Sequence, residues 1–184
     1  LVVTDKALKE LGLAERALSG LAETGVNLHW YAGVDPDPTF THVNEGGEVL
    51  RAAGCTAIVA VGWGSSMDAA KVIACTRSSD ESPENWVGLN KVPDDVLPVY
   101  AIPTTSGTGS EATMGAVIKD PIAKMKHIIV AESLLPQAVA LDPGLLTGLP
   151  AAVTAATGID ALTHGIEAYI CVWDRGTRKE NARL

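Results

Sequence analysis

Three stretches of the sequence bring ligand-gathering side chains together at spacings that chemistry can use. Gly62-Trp63-Gly64-Ser65-Ser66-Met67-Asp68 joins an apolar, strand-like run to a helical one. Small residues let a backbone approach a phosphate, and free N–H groups at a helix start point at an anion. The same composition also serves a plain strand-to-helix turn, and it is not the G-x-G-x-x-G fingerprint. Thr104-Thr105-Ser106-Gly107-Thr108-Gly109-Ser110-Glu111 supplies hydroxyls and exposed amides suited to phosphate or ribose oxygens. Alone it reads equally as a solvated loop. Asp160-Ala161-Leu162-Thr163-His164 sets a carboxylate and an imidazole four residues apart, on one helix face. Such a pair can grip one divalent metal or form a simple Asp–His hydrogen bond, and two ligands are too few for a tight site.

Asp5 follows a strand end directly, where a carboxylate can hold a ribose diol and repel a 2′-phosphate. It is also a good N-cap for the helix behind it. His29, in a strand-like run, His42, on a surface helix, and His127, beside Lys126, read as structural or solvated. No side chain stands out as a general base.

The elements that must position these groups alternate. Leu1–Thr4 reads as a buried strand and Asp5–Thr24 as a helix that Gly12 can split. Val26–Tyr31 reads as a strand, 33–38 as a proline-rich turn, and Thr39–Ala53 as a helix with Val43, Val49 and Leu50 inward. Cys55–Val61 is a continuous apolar run, as expected of a strand covered on both faces, and Met67–Cys75 is a helix. Short connections between alternating strands and helices predict a parallel sheet with right-handed crossovers. Ser78–Leu97 reads as a surface loop over Trp86, and Pro98–Pro103 as a further strand. Thr113–Lys119, His127–Ala131 and Ala138–Leu141 read as later strands. From Ala151 to Ile170 the pattern is one long helix, and Asp174 opens another. The fold class is therefore α/β: a parallel-sheet, Rossmann-like nucleotide-binding domain over residues 1–148, then the start of an all-α domain over 149–184.

Composition narrows the partners. The 184 residues carry 14 Lys+Arg against 22 Asp+Glu, a net charge of −8. That disfavours a general nucleic-acid or anionic-membrane surface. No apolar run reaches the roughly 18 residues of a membrane span, and the first residues lack a signal-peptide pattern. Three widely spaced cysteines (Cys55, Cys75, Cys171) read as reduced thiols of a cytoplasmic protein. A homo-oligomer is compatible with this composition.

Taken together, the motifs resemble the iron-dependent alcohol dehydrogenases, the group that includes lactaldehyde reductase and propanediol dehydrogenase. The likeness runs from Leu1 to about Tyr169. It rests on Val3-Thr4-Asp5, on Gly33-Val34-Asp35-Pro36-Asp37-Pro38-Thr39, on Gly62 to Lys71, on Ile102 to Glu111 and on Thr154 to Tyr169. The resemblance implies hydride transfer between NAD(H) and a small alcohol or aldehyde, in a cleft between an α/β and a helical domain. A divalent metal, Fe²⁺ with Zn²⁺ as the alternative, would polarise the substrate oxygen. Asp5 would hold the adenosine ribose. Gly64, Ser65 and Asp68 would line the pyrophosphate and nicotinamide half. Thr104, Thr105 and Thr108 would meet phosphates and ribose, and Lys126 the nicotinamide-side ribose. Asp160 and His164 would be two of four metal ligands, the other two being histidines beyond Leu184. The chain would then be an interior piece of a longer enzyme and inactive by itself.

Two departures from the family pattern matter. The family turn runs Gly-Gly-Gly-Ser, and Trp63 takes its middle position here. A Trp there would crowd the pyrophosphate, or strain the backbone if φ is positive. Asp37 replaces an Asn near the adenine and adds a negative charge. The rival readings are a zinc enzyme similar to glycerol dehydrogenase or dehydroquinate synthase, and a non-catalytic nucleotide-binding module.

Overall fold

A computed structural model describes residues 1–171. The elements in chain order are β1 (Val2–Val3), α1 (Lys6–Glu10), α2 (Leu13–Ala17), α3 (Ser19–Ala22), β2 (Trp30–Tyr31), α4 (Phe40–Ala52), β3 (Ile58–Gly62) and α5 (Gly64–Cys75). They continue with β4 (Gly88–Leu89), β5 (Val99–Pro103), β6 (Gly115–Asp120), β7 (Met125–Val130), β8 (Ala138–Val139) and α6 (Ala151–Ile170). Five strands form a parallel sheet in the order β2-β1-β3-β5-β8.

Side-chain alternation along the strands divides the core between the two faces. Val3, Ile58, Ala60, Val99 and Ala101 pack with α4 and α5, while Val2 and Val61 pack with Ala14 and Leu18 of the α2 side. Nearly every residue of α5 is buried, because the helix is enclosed by α4, the sheet and β6. Gly46 and Gly47 of α4 allow that close packing. A Cβ at Gly47 would lie 2.6 Å from Thr76 Oγ1, and one at Gly46 would strike Ile73. Thr39 starts α4 through a capping box: its hydroxyl accepts from the His42 N–H, and His42 Nδ1 accepts from the Thr39 N–H. Trp86 is buried beneath its loop, and its indole N–H donates to Glu81.

Three expectations need correction. The helix over Asp5–Thr24 is three short helices, with Gly12 at φ 66° after the first and Leu18 after the second. The strand over Val26–Tyr31 shrinks to Trp30–Tyr31, since its neighbour β1 presents only two residues to pair with. The loop over Ser78–Leu97 contains a strand, β4, and the strands after β5, whose neighbours the sequence left unassigned, divide between two sheets: only β8 extends the parallel one. β6 and β7 form an antiparallel hairpin, joined to β4 in a separate three-stranded sheet. The connection over 121–124 is too short for a parallel crossover, and the Asp120 carboxylate accepts from the N–H groups of Ile122 and Ala123 to close the turn. The helix expected from Asp174 lies outside the described residues.

Candidate cofactor and metal site

β1, β3 and β5 end side by side, and the motifs sit at that carboxyl edge, where ligands of open α/β sheets bind. Gly62 closes β3 with φ 154°, and a Cβ there would lie 2.5 Å from Ser66 Oγ. Trp63 then caps α5 with φ −79° and ψ 177°. This is ordinary extended backbone, so the positive φ that would have strained a Trp does not arise. Its side chain is 37% exposed and forms part of a cleft wall.

That cleft, of about 560 Å³, is bounded by Asp5, Leu8, Pro36, Trp63, Ser65 and Leu145, among others. A smaller one of about 140 Å³ shares Pro36 and Ser65 with it and adds Asp37, Gly64, Asp68, Thr108, Lys119 and Lys126. Five predicted residues therefore meet in the smaller cleft (Gly64, Ser65, Asp68, Thr108, Lys126), and Asp5 meets Ser65 in the larger. A further apolar cleft of about 710 Å³ opens beside Leu1, Cys55 and Tyr100, away from the motifs.

Asp5 does what an N-cap does: its Oδ1 accepts from the Leu8 N–H at 2.9 Å. It keeps a half-buried position on the cleft wall, so a second role remains open to its other oxygen. Thr104 and Thr105 are buried under their loop rather than lining either cleft. The Thr104 hydroxyl has no hydrogen-bond partner, nor does that of Thr4 at the end of β1. A buried hydroxyl without a partner is costly, and neither of these two lines a cleft. Gly64 and Thr108 are tightly apposed, since a Cβ on Gly64 would lie 2.7 Å from Thr108 Oγ1.

Two side chains of α5 organise the threonine loop. Asp68 accepts from the Ser110 hydroxyl at 2.6 Å and the Val117 N–H at 3.0 Å, and burial raises its carboxyl above the ordinary range. Lys71 is fully buried. Its ammonium donates to the carbonyls of Ser110, Gly115 and Thr113 at 2.7, 2.8 and 2.9 Å, with the Ser110 and Thr113 hydroxyls at 3.1 and 3.2 Å. Burial pushes it down to about 8, against the opposing pull of the Asp68 and Glu111 charges. Sequence reasoning gave Lys71 no role. The available signal was a lone cation in the apolar run Ala69–Cys75.

Lys126 is engaged by Asp37 at 2.8 Å, and Lys119 lies 3.3 Å from the other oxygen of the same carboxylate. The extra charge of Asp37 is therefore balanced locally. The two lysines hold its carboxyl below the usual range, Lys126 contributing most.

Asp160 and His164 lie outside both clefts, on a helix with no buried residue. His164 Nε2 and Asp160 Oδ1 are 3.8 Å apart, and both side chains are exposed on one face. No group of three or more His, Cys, Asp or Glu among the described residues could hold a metal alone. The threonine loop reaches this helix. A Cβ on Gly107 would lie 2.8 Å from the carbonyl oxygen of Thr157, less than one turn before Asp160.

The family profile of iron-containing alcohol dehydrogenases matches residues 1–143. The chain belongs to the iron-containing alcohol dehydrogenase family. It is 41% identical over 170 residues to an NAD-dependent methanol dehydrogenase of Bacillus methanolicus, covering 92% of this chain and 45% of that protein. It is 40% identical over 172 residues to a 1,3-propanediol dehydrogenase of Citrobacter freundii, covering 92% and 44%. A solved structure of a 1,3-propanediol oxidoreductase superposes with a TM-score of 0.93 at 38% identity, covering 98% of this chain and 47% of that one. The chain thus spans less than half the length of these relatives. No helix among the described residues is long and apolar enough to cross a membrane.

Proposed function

We propose that this chain is the nucleotide-binding part, with the start of the helical part from residue 149, of a cytoplasmic NAD-dependent alcohol dehydrogenase. The enzyme exchanges a hydride between the nicotinamide and a small alcohol or aldehyde. The observation that carries the reading is convergence at one sheet edge: the glycine turn, the threonine loop with Thr108 against Gly64, Asp5, and a helix bearing Asp160 and His164 that meets that loop at Thr157.

In this reading the larger cleft takes the adenosine half. Asp5 receives the ribose hydroxyls and disfavours a 2′-phosphate. The Gly64 and Ser65 amides at the start of α5 face the pyrophosphate, where the helix N-terminus favours negative charge. Lys126 meets the nicotinamide-side ribose. Asp68 and Lys71 keep the threonine loop rigid, so that Thr108 stays against Gly64. Asp160 and His164 supply two metal ligands, a carboxylate oxygen and an imidazole nitrogen that suit Fe²⁺ or Zn²⁺. Fe²⁺ is the metal proposed here, on the family assignment. When bound, the metal supplies Lewis-acid polarisation of the substrate oxygen. The buried, unpaired thiols of Cys55 and Cys75 support the cytoplasmic placement.

Calorimetry with NAD⁺ and NADP⁺ tests the nucleotide half. NAD⁺ is expected to bind and NADP⁺ to bind more weakly. A folded chain that gives no heat with either favours a non-catalytic module. The metal half is tested in a longer polypeptide carrying this chain: Asp160→Asn and His164→Ala should each lower bound iron and turnover. Unchanged iron content in both would remove the pair from the metal site.

A further inference from the structure

Lys119 and Lys126 are register partners across the β6–β7 hairpin. Like charges directly opposite each other destabilise a strand pair. The structure resolves the conflict with Asp37, whose two oxygens lie 3.3 Å from Lys119 Nζ and 2.8 Å from Lys126 Nζ. The backbone fixes the carboxylate in place: Lys119 N–H donates to the Pro38 carbonyl at 2.7 Å, and Ser65 donates its hydroxyl to the Pro36 carbonyl. Asp37, both lysines, Gly64 and Ser65 all line the smaller cleft. Its other carboxylate, Asp68, is committed to Ser110 and Val117. The cleft therefore pairs a dilysine with the N-terminus of the twelve-residue α5, and one anion already sits on the lysines.

We propose that Asp37 is a built-in competing anion: it occupies Lys119 and Lys126 when the cleft is empty and so limits how tightly the cleft takes a diphosphate. This rests on the nucleotide-binding reading above and adds a residue that tunes it. An incoming diphosphate must share the lysines with Asp37: the two lysines and that carboxylate together carry a net charge of one, where the lysines alone carry two. The penalty is electrostatic and lies near the surface, so salt screens it.

The test is titration of inorganic pyrophosphate, and separately of NAD⁺, into the 184-residue chain, Asp37→Asn and Glu48→Gln, at low and high salt, with far-UV dichroism to verify folding. Glu48 lies on the exposed side of α4, so its substitution removes the same charge elsewhere. At low salt Asp37→Asn should bind pyrophosphate about three- to tenfold tighter than the parent chain, and the gain should shrink at high salt. Glu48→Gln should match the parent. Equal or weaker pyrophosphate binding by folded Asp37→Asn overturns the proposal. So does an equal gain in Glu48→Gln, or no pyrophosphate binding in any variant. If pyrophosphate shows the Asp37 dependence and NAD⁺ gives no heat, the dinucleotide reading fails and this inference stands. If NAD⁺ binds and Asp37→Asn alters neither ligand, this inference fails and the dinucleotide reading stands.

Discussion

The Lys71 ammonium, on α5, lies 2.7 Å from the carbonyl oxygen of Ser110, in the loop that follows β5. The helix that begins at the glycine turn thus holds the second motif from beneath. Replacing Lys71 with Met keeps the volume but leaves the carbonyls of Ser110, Thr113 and Gly115 without their donor. The expected loss is about 2–4 kcal/mol of stability, read from urea unfolding with an unchanged slope. A Lys71→Met chain within about 0.5 kcal/mol of the parent would show that water replaces the ammonium.

Tyr31 donates its hydroxyl to Glu45 at 2.8 Å. Its phenol is raised, by burial first and by Glu45 next. In the unfolded chain it ionises near its ordinary value of about 10. Above that pH the unfolded state has released a proton that the folded state keeps, so stability falls as pH rises past about 10; below it Tyr31 adds no pH dependence. Tyr31→Phe should therefore lose stability less steeply above that point. Parallel alkaline curves for the two chains would contradict the assignment.

Trp63 walls the larger cleft beside Asp5 and Ser65. NAD⁺ binding should change tryptophan emission, and Trp63→Phe should abolish most of that change while the chain stays folded. An undiminished response in Trp63→Phe would place the reporting indole elsewhere.

Gly46 and Gly47 give a graded test of the α4–α5 contact. Ala is the better helix former by about 1 kcal/mol, yet overpacking costs about 1–3 kcal/mol. At Gly46 the obstacle is the δ-methyl end of Ile73, with the Tyr31 ring 3.2 Å away. At Gly47 it is Thr76, branched at Cβ, whose hydroxyl already donates to the Ile73 carbonyl. Gly47→Ala should lower the thermal midpoint more than Gly46→Ala, and the reverse order would count against this packing.

What the sequence made legible follows the strength of local pattern. β3, β5, α4, α5 and α6 announce themselves by apolar runs or helical period, and each is present near its expected bounds. The separate β4-β7-β6 sheet was hidden, because strand propensity does not say which strand is the neighbour. The four-residue connection over 121–124 was the available clue. Of the residues expected at the site, Asp5, Gly64, Ser65, Asp68, Thr108 and Lys126 line the two clefts at that sheet edge. The contacts that set their electrostatics were not legible: Asp37 and Lys119 are 82 residues apart, and Lys71 and Ser110 are 39 apart. Such pairings depend on how the chain folds back, which no local spacing records.

The near-contact of Gly107 with Thr157 makes α6 a ruler. From the residue touching the threonine loop, the carboxylate at 160 is about 4.5 Å along the axis and the imidazole at 164 about 10.5 Å. Helical pitch, rather than any flexible linker, then sets how far these two side chains stand from the loop. One residue inserted between Thr157 and Asp160 would swing both by about 100° around the axis, leaving each side chain intact but aimed at the wrong space.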